Sequence, residues 1–380
     1  MIKKLSFVLV FILSGHLLFA QEKIQLIRAT SKLVDILDGN IFQKANWTIT
    51  PDAHPDVYTT SFSKKLKKIT FYTDQDSITF NVKPNSYYRF NILLNNKDTA
   101  LTGILSYDTL GTLKNAGKYN FTEKRELPKF TYQRADNPNL VALRKAFNLD
   151  SIAGQGNEVS KILSLLHWIH NLVPHDGNHE NPAVMNAMNM IAVCKKDNRG
   201  LNCRGLATVL NECYLSMGIK SRFVTCLPKD SLGIDNDCHV INMVYSTELK
   251  KWLWIDPTFD AYVMNEKGEL LGMEEVRERI INDNPLILNP EANWNHKSSQ
   301  TKEYYLYNYM AKNLYLLECP LSSEYDTETR QAGKSISYMQ LRPLDYFKKS
   351  IEMSSSTNNQ NKTTFVNYKT NNPNIFWQAP

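Results

Sequence analysis

"GLNCRGLATVLNECYLSMGI", residues 200–219, decides how the rest of the chain is read. Leu206, Val209, Leu210, Cys213, Tyr214 and Met217 recur at helical spacing. This predicts a helix from about 203 to 217, closed by Gly218 in the usual C-terminal glycine position. Asn202 is a suitable N-cap and puts Cys203 at the helix start. A thiol there meets first-turn amides that lack intrahelical partners and the positive end of the helix dipole, both of which favour thiolate. Arg204 adds positive charge beside it. Such a thiol can act as a nucleophile, and the same amides can hold an oxyanion. A small core cysteine that begins a helix is also common, and on position alone that structural reading prevails. Cys213, two to three turns along the apolar stripe, reads as an ordinary core cysteine.

Beyond the helix the period changes. "KSRFVTCL" (220–227), "CHVINMVYS" (238–246) and "KWLWIDPTF" (251–259) read as consecutive antiparallel strands, with the polar loop 228–237 and the turn "TELK" (247–250) between them. A cysteine nucleophile needs a base, and the base needs an orienting partner. A four-residue turn pairs Ser246 with Lys251, Tyr245 with Trp252 and Ile241 with Asp256. His239 then lies on the same face as Asp256 and diagonal to it, within reach of long side chains. An odd turn would place them on opposite faces. Taken singly, a histidine at a strand start and an aspartate before proline are ordinary structural features. The ordered set of helix-start cysteine, strand-start histidine and strand-end aspartate is much harder to attribute to packing.

The run from Gly200 to Cys226, then "CHVINMVY" and "KWLWIDPTFD", resembles the transglutaminase-like superfamily over about 160–262. The elements that carry the likeness are "NCRGLA", "MGIKSR", "HV" and the W-x-x-x-D-P-T pattern of Trp252 to Thr258. The chain departs from the family where Val240, Ile241 and Asn242 follow the histidine in place of an aromatic or Ala-Trp pair. The resemblance implies an α+β, papain-like core in which the cysteine-bearing helix packs on an antiparallel sheet. It implies Cys203 as nucleophile, His239 as general base and acid, and Asp256 as orienter, in acyl transfer on peptide or amide bonds. Hydrolysis, as a peptidase or amidase, is the expected outcome; an amine acceptor in place of water would make a cross-linker. The alternative is a non-catalytic binding or assembly module that retains the fold.

"HWIHNLVPHDGNH" (167–179) contains His167, His170, His175 and His179. Histidines three or four apart on a helix can bind zinc. Here Pro174 separates the two pairs and Trp168 and Ile169 serve packing, so neither metal nor cofactor is expected. Asn202, Trp168, His170 and His175 are instead candidates to line the substrate groove.

The rest of the chain sets the frame. Residues 1–20 read as a secretory signal, with Lys3 and Lys4 before a short apolar run and Ala20 before the cut. Residues 21–135 read as a β-rich module, 136–290 as the catalytic core, and 291–380 as a β-leaning region whose "YYLYNYM", "NLYLL", "SISYMQL" and "TTFVNY" suggest strands. "SSSTNNQNK" (354–362) is the one low-complexity tract, and the aromatics of "NNPNIFWQAP" suggest docking of the C-terminus. Without Lys3 and Lys4 the balance is 42 basic against 38 acidic residues, from 44 and 38 in the whole chain. That near-neutrality implies no nucleic-acid partner. The expectation is an exported protein, periplasmic or extracellular, with no membrane span after signal removal. It would act on a protein or peptide, a cell-envelope component among the candidates. Of the six cysteines, Cys226 and Cys238 are the pair that could be bridged across their loop, although unpaired thiols are expected.

Overall fold

The computed structural model describes residues 24–51, 56–61, 67–229, 238–346 and 353–380. The predicted signal segment lies outside them. The chain divides into two compact units, one running to Tyr107 and the other comprising Asp108–Pro380 together with Ser61–Ser63.

The first unit is all β. Two four-stranded sheets form from eight strands, and "KKITFYTDQDSITFNV" is the expected hairpin, with Tyr72 opposite Ser77 and Lys67 opposite Val82. Alternation buries Val34, Ile36, Ile69, Phe71 and Ile92. Phe71 of one sheet meets Phe90 of the other at 5.0 Å between ring centroids. The unit is thus a small sandwich whose core is the inward face of both sheets.

In the second unit a nine-stranded sheet runs, in spatial order, Ile287–Leu288, Ala261–Met264, Lys251–Asp256, His239–Ser246, Ser221–Leu227, Leu316–Pro320, Ser335–Leu341, Thr364–Thr370 and Ser354–Thr357. The boundary expected at 290 therefore falls inside one sheet, and that at 135 inside one compact unit. Strands beyond 315 were invisible as partners of the core because sheet pairing between distant segments leaves no local pattern.

Both faces of the central strands are covered, which is why they read as nearly continuous apolar runs. Val244, Leu253 and Ile255 face a layer of helices that includes Glu158–Leu172, Ala187–Asp197 and Cys203–Ser216. Ile241, Met243, Trp252 and Trp254 face the other way, against the helix Met273–Ile281 and the helical segment Glu303–Met310. That last segment holds "YYLYNYM" and is a π-helix, which corrects the strand expected there. Aromatic richness favours strands in general, but here Tyr305, Leu306 and Met310 pack as one buried stripe. The tract "SSSTNNQNK" is also more ordered than its composition suggests. Its Ser354–Thr357 pairs antiparallel with Thr364–Thr370. Phe376 is fully buried, and Trp252 Nε1 donates to Trp377 O at 3.1 Å, so the C-terminal aromatics are docked.

The helix Cys203–Ser216 matches its prediction, with Asn202 as N-cap and Gly218 at φ +79° just beyond its end. It is buried all round after its first two residues. Its polar residues are paired internally: Asn211 donates to Ser323 Oγ at 2.9 Å. Glu212 accepts from the amides of Ala187 at 2.7 Å and Asp326 at 2.9 Å.

Candidate active site

Asn202 positions Cys203. Its side chain accepts from Gly205 N at 3.2 Å and from Asn181 Nδ2 at 2.7 Å, while Asn181 Oδ1 accepts from Asn202 N at 3.2 Å. Gly205 is needed for that close approach, because a Cβ there would lie 2.6 Å from Asn181 Oδ1. Partly buried, Cys203 packs against Ala207, Phe223 and Val240.

The hairpin has the register read from its four-residue turn: Ser246 pairs with Lys251, Tyr245 with Trp252 and Asn242 with Ile255. His239 and Asp256 consequently share a face, and His239 Nε2 lies 2.7 Å from Asp256 Oδ2. Both are essentially inaccessible to solvent. His239 is the first residue of its strand, at the rim of the sheet. There it faces Cys203, which comes from the opposite layer and whose thiol His239 lowers. With Nε2 on Asp256, Nδ1 is the nitrogen left for Cys203.

Two tyrosines from the π-helix complete the surroundings. Tyr305 Oη donates to Asp256 Oδ2 at 2.6 Å and accepts from Trp254 Nε1 at 3.0 Å. Tyr309 Oη lies 3.3 Å from His239 Nδ1. Thr258 N donates to Asp256 Oδ1 at 2.9 Å, so the turn after the strand holds the second oxygen. Phe259 packs on His239, Tyr305 and Tyr309, with ring centroids 5.2–5.7 Å apart. The tyrosines are 49 and 70 residues from their partners and left no signal in the sequence.

The electrostatics follow from these contacts. Burial pushes the Cys203 thiol up, but hydrogen bonds from His175 and His239 outweigh it and bring it down to about 6. Burial also opposes charge on His239, yet the Asp256 carboxylate and the Cys203 sulfur raise it to about 10. Over the interval between these values the favoured state is a thiolate beside an imidazolium. Cys213 shows the contrast: burial without such partners pushes its thiol far up. All six cysteines are free thiols. Cys226 stands opposite His239 in the sheet and not opposite Cys238.

Cys203 opens on a cavity of about 520 Å³. Asn202 and His175 line it, together with Asn181, Tyr309, Arg330 and Asn361. Two of the groove candidates do not reach it. His170 is buried, with Nδ1 3.0 Å from Pro257 O and Nε2 3.0 Å from Asn293 Oδ1. Trp168 packs on Phe147 within the helical core. Helix periodicity turned both inward. The other two histidines also diverge, His167 to Asp260 at 2.6 Å and His179 to Asp176 at 2.6 Å. Among the described residues no three His, Cys, Asp or Glu side chains gather as a metal site, and no helix is long and apolar enough to cross a membrane.

Residues 145–257 match the family model of the transglutaminase-like superfamily, a segment that contains Cys203, His239 and Asp256. No curated protein matches the chain. Among solved structures, the chain is similar to one from Cytophaga hutchinsonii described as a "Putative Cysteine Protease". They are 15% identical, with 62% of this chain and 70% of that chain covered and a TM-score of 0.24. It is also similar to red sea bream transglutaminase, at 13% identity, with 66% and 51% covered and a TM-score of 0.22. The chain thus spans about half the length of the sea bream protein.

Proposed function

We propose that this protein is a cysteine hydrolase that cleaves amide bonds in a peptide or protein by acyl transfer through Cys203. The observation that carries the reading is the placement of Cys203 at a helix start on the cavity, with His239 lowering its thiol and bonded in turn to the buried Asp256. Cys203 sulfur attacks the carbonyl carbon, and the carbonyl π pair moves onto oxygen, where first-turn amides of the helix can receive the charge. His239 gives its Nδ1 proton to the leaving nitrogen as the C–N bond breaks, which leaves a thioester on Cys203. Water then adds to the thioester carbon and gives a proton to His239. Breaking of the C–S bond releases the acid and restores the thiolate. Asp256 holds the imidazole orientation throughout and stabilises the imidazolium whenever it forms.

The leader-like residues 1–20 support a periplasmic or extracellular location, with an envelope protein or peptide as substrate. The test is digestion of a peptide library by the full chain with mass-spectrometric readout, against Cys203→Ala and with an added alkylamine. New carboxyl ends that vanish in Cys203→Ala are expected. Products joined to the alkylamine in excess over free acids would make the protein a cross-linker. Identical digests from wild type and Cys203→Ala would leave the non-catalytic alternative standing.

A further inference from the structure

A second imidazole, His175, stands at the cleft, and its surroundings fix both its position and its tautomer. Its backbone bridges in parallel to Leu201, two residues before Cys203. Asp176 N donates to Leu201 O at 2.8 Å, and Leu201 N donates to Pro174 O at 3.1 Å. Gly200 makes this approach possible, since a Cβ there would lie 2.2 Å from Pro174 O. From the other side, His175 N donates to Asn295 Oδ1 at 2.7 Å and Asn295 Nδ2 donates to His175 O at 2.8 Å. The loop is therefore locked to the residues that lead into the nucleophile.

The ring is fixed as well. Trp294 Nε1 donates to His175 Nδ1 at 3.2 Å. An indole N–H can only donate, so Nδ1 is the accepting nitrogen and the ring proton resides on Nε2. That leaves Nε2–H to face the cavity that His175 shares with Cys203, whose thiol His175 lowers. Trp294 is itself held by a short antiparallel pairing with Ser298. It lies beyond the segment that matches the family model.

We propose that His175 is a fixed-tautomer hydrogen-bond donor to the Cys203 sulfur, and that Trp294 is the positioning residue that sets the tautomer. The two histidines divide the work. His239, tethered to a carboxylate, carries the mobile proton. His175 has no carboxylate on its ring among the described contacts and keeps its proton. When the sulfur lone pair forms the C–S bond, the negative charge passes to the substrate oxygen and the Nε2 proton stays on nitrogen. This inference rests on the reading of Cys203 as the nucleophile.

The test is the rate of iodoacetamide labelling of Cys203 against pH, followed on the Cys203 peptide by mass spectrometry in the full chain. His175→Ala is expected to slow labelling near pH 6 by about tenfold and to move the profile to higher pH, the effect of losing one charge-assisted bond to the thiolate. His175→Gln keeps an N–H donor and should stay within about threefold of wild type. Trp294→Phe frees the tautomer and should slow labelling by about threefold with the fold intact by circular dichroism. Should His175→Ala fail to fold, the Gln and Phe variants carry the test. Wild-type profiles in all three variants, while His239→Ala slows labelling, would overturn the role of His175 alone. If His239→Ala also labels like wild type, the nucleophile reading falls with it.

Discussion

Asp256→Asn preserves the volume of the side chain and reverses one hydrogen-bonding face. Asp256 accepts from Thr258 N at 2.9 Å, from Tyr305 Oη at 2.6 Å and from His239 Nε2 at 2.7 Å. The Thr258 amide can only donate, so the remaining carbonyl oxygen stays with it. The new NH₂ group then faces His239 and Tyr305. His239 Nε2 must accept, its proton moves to Nδ1, and no carboxylate supports an imidazolium. Burial pushes the Cys203 thiol up, and it reaches about 6 because hydrogen bonding and charge from His175 and His239 outweigh that. A thiol half ionised near pH 6 would be less than about 1% ionised there if it returned to about 8.5. Because His175 remains, the expected loss of iodoacetamide labelling near pH 6 lies between about tenfold and about a hundredfold. Turnover, which also needs the correct tautomer, should fall by on the order of a thousandfold or more. Labelling is measured from about pH 5 to 9 with the fold checked by near-ultraviolet circular dichroism. Wild-type labelling near pH 6 in a folded Asp256→Asn protein would refute the coupling of Asp256 through His239 to Cys203.

Amide hydrolysis should plateau between about pH 6 and about 10, rising as the Cys203 thiol ionises and falling as His239 loses its proton. Burial opposes both charges, but partner contacts lower the thiol and raise the imidazole. The thiol's contribution to stability is complete above its ordinary value and is lost as pH falls through about 6. That of His239 is complete below about 6.5 and is lost as pH rises through about 10. Gly205→Ala should destabilise the fold by about 1–3 kcal/mol, since its Cβ would displace the Asn181 carboxamide that buttresses Asn202. Urea titration measures this, and an unchanged midpoint and slope would exclude the clash. Burial raises the Glu212 carboxyl from 4.5 to about 8. Its unfolded form ionises first, so this group's contribution to stability declines as pH rises from about 4.5 to 8. Thermal melting of Glu212→Gln should show a flatter pH dependence over that interval, whatever its absolute stability.

The helix Cys203–Ser216, the antiparallel strands after it and the pairing of His239 with Asp256 were all legible in the residue order. Each rests on short-range rules: a cap and a terminal glycine for the helix, and a four-residue turn that fixes the parity of the hairpin. The same local reasoning failed for His170 and Trp168, because helical periodicity does not say which inward position meets a cleft and which meets the core. Nor could local pattern reveal that "YYLYNYM" forms a π-helix over the His239–Asp256 pair, or that Asn361 from a polar tract lines the cavity. Tyr305, Tyr309 and Trp294 reach their partners across 49, 70 and 119 residues. The residue order by itself therefore determined which groups could do chemistry. The tertiary structure decided which groups hold them, through contacts whose sequence separation is set by packing and carries no period.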